Sequence, residues 1–258
     1  MGRVSARVAL IAAAWAMIPG VCWALPSLQL GPGDDASWNY VGGGDDTWYV
    51  SDSAFTLGAY ANALGGNGDY AFTDTNTTRT AYLVFSASPK HSDAPGGEFD
   101  LTVMDEHGAL TLVQHGYGSP PDPGAGNDGL GSHGIYDTYF YVYEFDFDGD
   151  AMEIQNQEPG NTGSGLGYAE MLSVTVNGTG PAVEGIHVDL FTVNGDGKLV
   201  TTDGNGNPLP PGDLDNQLLA VAPFSHDAQF LQVPEPGTLG LLLGAVFGFG
   251  WVVRRPAR

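Results

Sequence analysis

A single cysteine in 258 residues, at position 22, leaves this chain without an internal disulfide framework. Basic residues are also scarce, with eight Lys and Arg against 30 Asp and Glu, a formal net charge of −22. Arg3, Arg7, Arg254, Arg255 and Arg258 lie near the ends, so between residues 25 and 233 only Arg79, Lys90 and Lys198 face 29 acids, a balance of −26. Nucleic-acid affinity rests on Lys and Arg releasing counterions from phosphates, so a surface of this sign excludes nucleic acid as a partner. The same region lacks any helical periodicity sustained beyond about two turns. Apolar residues make up 42% of the chain, which suffices for one packed core.

The first 24 residues have the three-part layout of a signal peptide: a basic start (Arg3, Arg7), an apolar run from Val8 to Ile18, and a small residue at Ala24. Cleavage after Ala24 is expected, and it removes Cys22 from the mature chain. A permanent anchor is the alternative, but the apolar run is shorter than the ~17–25 residues that span a bilayer. Lipidation at Cys22 is disfavoured by the bulk of Val21.

The other end begins with Val233-Pro234-Glu235-Pro236, continues uncharged from Gly237 to Val253, and closes on Arg254 and Arg255. Such a span is at the lower limit for crossing hydrocarbon, and the arginines favour a cytoplasmic end. Glycines at 240, 244 and 248 would give the helix a smooth face. This arrangement resembles the PEP-CTERM sorting signal. The resemblance implies a Gram-negative bacterium, a transient inner-membrane anchor and processing by an exosortase, with Pro234, Glu235 and Pro236 as recognition residues and Arg254 and Arg255 as the basic stop. The implied destination is the cell surface or the extracellular polysaccharide matrix.

Between these ends the dominant period is two. Tyr139, Tyr141, Tyr143, Phe145 and Phe147 alternate with Phe140, Val142, Glu144, Asp146 and Asp148, a long strand whose second half faces water on one side. Leu172, Val174 and Val176 form a second such pattern, and Ile186, Val188 and Leu190 a third, which turns His187 and Asp189 outward. Further strands are expected over 48–50, 54–60, 80–86, 99–104 and 109–114. Gly- and Asn-rich clusters at 42–46, 65–69, 177–178 and 194–197 supply tight turns. Many short strands split by such turns predict an all-β fold, an antiparallel, jelly-roll-like β-sandwich over residues 25–232, between a signal peptide (1–24) and a sorting segment (233–258). The stretches 116–134 and 203–216 read as surface loops. Three segments, Leu25–Leu30, Ser132–Tyr136 and Ala222–Ala228, also resemble the exported proteins called choice-of-anchor N, which implies a passenger shared among different anchoring signals.

Chemistry is sparsely marked. Asp146, Asp148 and Asp150 stand at alternate positions around Gly149, where three carboxylates could share a calcium ion. The calcium-loop template fails, however, with Ala151 where Gly is needed and Gln157 where Glu is needed. Acidic turns kept soluble by charge are the simpler reading. The segment 194–198 fails as well, with Lys198 at a ligand position, and Asp34, Asp35, Asp45 and Asp46 form a looser acidic group. The six histidines (91, 107, 115, 133, 187 and 226) show no spacing of a shared metal site, so each reads as a surface or locally bonded side chain. No Gly-x-Ser-x-Gly elbow occurs. Glu144, Glu153 and Glu170 are candidates for glycosidase carboxylates by residue type alone.

Trp38 and Trp48, near Tyr40, Tyr49 and the acidic group, could stack on sugar rings, although sandwich cores also use such residues. The sequence therefore reads as a non-enzymatic, exported surface or matrix protein. The alternative is a calcium-dependent carbohydrate-binding module.

Overall fold

Alternating apolar residues form extended segments that cannot bury one face alone, so two sheets close over a shared core. The computed structural model describes residues 25–41, 47–63, 71–89, 91, 95–120, 138–209, 214, 217–222 and 228–232. The signal-peptide and sorting segments, with Pro234, Glu235, Pro236, Arg254 and Arg255, lie outside these residues. So do Asp45, Asp46, His133 and His226.

The elements are β1 (Leu28–Gly31), β2 (Asn39–Val41), β3 (Thr47–Val50), β4 (Ala54–Asn62), β5 (Thr80–Ser88), β6 (Phe99–Asp105) and β7 (Gly108–Ala109). They continue with β8 (Thr111–Gly118), β9 (Thr138–Asp146), β10 (Met152–Gln155), β11 (Ser164–Thr179), β12 (Gly185–Val193), β13 (Leu218–Val221) and β14 (Ala228–Leu231). The first sheet runs β1-β4-β11-β6-β7, with β10 also on β11; the second runs β2-β3-β14-β12-β5-β9-β8, with β13 also on β12. The antiparallel expectation has one exception, because β14 lies parallel to β3.

β4 pairs with β11 in the first sheet, and β5 pairs with β9 in the second. Residues 109–114, expected as one strand, are divided between layers. Gly108–Ala109 pairs with β6 and Thr111–Gly118 pairs with β9, with buried Leu110 at the crossing.

The main core takes Leu57, Leu101, Leu172 and Val174 from one sheet and Leu83, Phe85, Phe145 and Leu190 from the other. Tyr141 and Tyr143 of the second layer donate hydroxyl hydrogen bonds to the carbonyls of Phe99 and Leu101 in the first.

A smaller cluster, Tyr82, Val84, Phe140, Val142, Phe191 and Val193, lies on the outer face of the second sheet, with Leu199 and Leu218 against it. The Tyr82 hydroxyl donates to the Gly197 carbonyl and accepts from the Leu199 amide, which ties the chain after β12 over this face. Here the expected outward setting of His187 and Asp189 is overturned, because all nine residues of β12 are buried. Alternation assigns a side chain to one face of a sheet, but whether that face meets water depends on what else folds across it.

Candidate functional site

Three elements from both layers meet at one end of the domain. The β6–β7 turn brings Glu106 and His107 and the segment after β9 brings Asp148, while β11 holds Glu170 within electrostatic reach of them. Asp105 accepts hydrogen bonds from the amides of His107 and Gly108 at 2.7 and 2.8 Å, which shapes the turn and presents the His107 ring. His107 Nε2 lies 2.8 Å from Asp148 Oδ2 and 3.5 Å from Glu106 Oε1. One ligand atom from each of Glu106, His107 and Asp148 falls within 4.8 Å of the others, and all three side chains are exposed.

Asp148 is held by a cation that spends its donors elsewhere. The Arg79 guanidinium donates to the carbonyls of Phe147 and Gly149, on either side of Asp148, and the Phe147 amide donates back to the Arg79 carbonyl. Arg79 itself sits in the left-handed backbone region (φ 56°) and lays its guanidinium over the Tyr168 ring, 4.4 Å from the centroid.

Glu170 follows Tyr168 by two positions on the core-facing side of β11, in the row that continues as Leu172, Val174 and Val176. The residue is 9% exposed. Burial, followed by the negative charges of Asp148, Asp105 and Glu106, pushes its carboxyl up to about 7, against the opposing pull of His107. The nearby Asp148 carboxylate, in turn, raises the His107 imidazole above its ordinary value.

The sequence-designated calcium group is not assembled. Asp146 ends β9 and accepts from the Thr80 hydroxyl, while Asp148 turns to His107. Asp150 and Asp146 take no part in the group formed by Asp148. The reason is local: the chain leaves the strand after Asp146 and bends around Arg79, which breaks the alternation that would have aligned the three carboxylates.

Trp38 is a core residue, packed edge-on against Phe55 with its indole N–H donated to the Thr56 carbonyl. Trp48 is half-buried, lies 5.2 Å from Tyr40 and donates to the Gln157 carbonyl. The two are therefore structural in their contacts. Asp35 accepts from the Ser37 and Thr56 amides, and these bonds hold its carboxyl below the ordinary range.

Glu144 shares the Tyr82 hydroxyl proton with the Gly197 carbonyl on the outer face, and Glu153 accepts from Ser164 at the edge of the other sheet. Glu144, Glu153 and Glu170 thus occupy three different surfaces. A half-exposed aromatic row lies along β8 and β9: His115 stacks on Tyr141 at 5.5 Å, and Tyr117 packs against Tyr139 at 5.0 Å.

Sequence reasoning missed Asp105, Glu106 and the positioning role of Arg79. A legible signal existed in the string Asp105-Glu106-His107-Gly108, three potential ligands closed by a turn-forming glycine.

A family profile described as the PEP-CTERM protein-sorting motif matches residues 232–255. The motif implies an exported protein that is processed by an exosortase and sorted through a membrane-anchored stage to the cell surface. No curated protein matches the chain. A solved structure described as "AvmM Catalyzes Macrocyclization in Alchivemycin A Biosynthesis" is similar at 10% identity and a TM-score of 0.32, over 77% of this chain and 89% of that one. An overlap that loose carries no argument here.

Proposed function

We propose that this PEP-CTERM-bearing chain is a non-enzymatic component of the cell surface or extracellular polysaccharide matrix, with residues 25–232 as its passenger and residues 1–24 as a removable signal peptide. The passenger would be of the choice-of-anchor N type. The observation that carries the reading is the sorting motif at residues 232–255, directly behind the last described strand of an all-β domain. A strongly acidic domain suits a hydrated, anionic matrix because net charge keeps it soluble and unaggregated.

The test is fractionation of the full chain in a host with and without its exosortase, alongside Glu235→Ala. Surface delivery of a shortened chain in the first case, and retention of the uncut chain in the inner membrane in the other two, is the expected pattern. Identical delivery in all three would refute it.

A second reading, carbohydrate binding, is favoured by the aromatic row on β8 and β9, since partly exposed aromatic rings suit contact with sugars. Tyr117→Ala would then reduce retention of the protein on host exopolysaccharide without changing its melting temperature by more than a few degrees.

A further inference from the structure

We propose that the aromatic ledge formed by His115, Tyr117, Tyr139 and Tyr141 binds an uncharged glycan and turns away glycans that carry uronic acids. The inference rests on the carbohydrate reading above and narrows it to one class of chain.

The ledge exists because the two layers differ in width at this end. Tyr141 and Tyr143 donate to the Phe99 and Leu101 carbonyls, so β9 lies against β6, the last long strand of the first sheet. β8 is one strand further out. Among the described residues β7 alone lies beyond β6, and it pairs with Met104 and Asp105, at the far end of β6 from Phe99. His115 and Tyr117 therefore project past the first layer. Their rings continue the row of β9: His115 stacks on Tyr141 at 5.5 Å, and Tyr117 meets Tyr139 edge-on at 5.0 Å. Buried Phe99 backs Tyr139 and Tyr141 at 5.8 and 5.2 Å and fixes both from behind. His115 is exposed, and the three tyrosines keep part of their surface in water. Tyrosine rings held in place by their neighbours offer apolar contact area at little cost in conformational entropy.

Charge selects the class of glycan. Glu98 and Asp100 flank Phe99 in the chain; Asp100 is exposed, and the half-buried Glu98 accepts a hydrogen bond from the Gly96 amide at 2.7 Å. The Glu98 charge reaches Tyr117, and that of Asp100 reaches Tyr141 and Tyr143. Of the three cations between residues 25 and 233, Arg79 lies over Tyr168, Lys198 follows β12 on the outer face of the second sheet, and Lys90 is outside the described residues. A uronate laid on the rings would meet two like charges in a region whose balance is −26, with neither described cation at hand. Like-charge contact across an interface suppresses the wrong partner. A neutral hexose needs no counter-ion.

The test uses the full chain in detergent, with a chelator present so that no divalent ion bridges like charges. Host exopolysaccharide is divided by anion exchange into a neutral and an acidic fraction, and part of the acidic fraction has its carboxyl groups reduced to alcohols. With each fraction immobilised on a column, the protein should be retained by the neutral and the reduced material and should pass through the untreated acidic material. Retention should vary less than about twofold between roughly 50 and 500 mM salt, because no exposed ion pair carries it. His115→Ala and Tyr117→Ala should each weaken it roughly threefold to tenfold, and Met152→Ala, exposed at the edge of the other sheet, should leave it unchanged. Melting temperatures taken alongside separate lost binding from lost fold, and His115 is exposed, so its replacement spares the core. Equal retention on the acidic fraction before and after reduction, or affinity that collapses with salt, would overturn the choice of glycan and leave the carbohydrate reading standing. Retention on no fraction would overturn both. Unchanged retention in folded His115→Ala and Tyr117→Ala would place binding elsewhere and overturn the ledge.

Discussion

His187 Nε2 lies 3.2 Å from Asp189 Oδ2, two positions along the same strand, and both side chains are buried on the outer face of the second sheet. Neighbours at i and i+2 on a strand normally share an exposed polar stripe. Here the stripe is covered, so the pair contributes to stability instead of solubility.

Removing the carboxylate tests that role. Asp189→Ala removes the buried carboxylate 3.2 Å from the imidazole, and loss of a hydrogen bond of this kind costs about 0.5–1.5 kcal/mol. A denaturant titration should show the midpoint falling with its slope unchanged.

Trp38 and Trp48 should separate by depth. Trp38 loses a full core side chain and a hydrogen bond to Thr56 on truncation, so Trp38→Ala is expected to cost about 3–5 kcal/mol. Trp48→Ala removes a half-buried ring and should cost clearly less. Thermal unfolding followed by circular dichroism reads both. Equal losses would mean that the two indoles are equally embedded.

Alkaline pH should weaken the fold in a defined window. Burial, reinforced by Asp34, pushes Tyr60 up to about 12, and burial with Asp100 does the same to Tyr143, from an ordinary value of 10.0. The fold therefore prefers neutral phenols. Their contribution is fully present below pH 10.0 and is lost as pH rises through about 12. Absorbance of phenolate at 295 nm should rise in two stages, and the later stage should coincide with loss of β-sheet signal.

Two glycines at the C-terminal end of β11 should respond differently. A Cβ at Gly180 would strike the carbonyl of Gly96, a neighbouring backbone that cannot move aside, so Gly180→Ala should destabilise by a few kcal/mol. At Gly178 a Cβ meets nothing within 4 Å, so Gly178→Ala should be neutral or gain about 0.4–1 kcal/mol. Melting temperatures moving in the same direction would count against this local geometry.

Much of the architecture is legible in the sequence. Strands over 54–60, 80–86, 99–104, 172–176 and 186–190 all fall within observed strands, because their alternation records which face is buried. The short strands β1, β2, β10, β13 and β14 were not read. Four residues or fewer carry too little periodicity to distinguish a strand from a loop, and only their partners in the sheets stabilise them. The candidate site was legible only in part: Asp148 and Glu170 were noticed for their residue types, and His107 was read as a surface group.

By itself the sequence determined the sign of the surface, the period of two and the sorting motif at the C-terminal end, since composition and local order need no folded partner. Tertiary structure alone decided that His107 and Asp148 meet, that Asp146 and Asp150 stand apart from them, and that His187 is inside. Those outcomes depend on contacts between residues tens of positions apart. They were settled by where Arg79 bends the chain after β9 and by which segment lies over the outer sheet, and neither is written in the spacing of neighbouring residues.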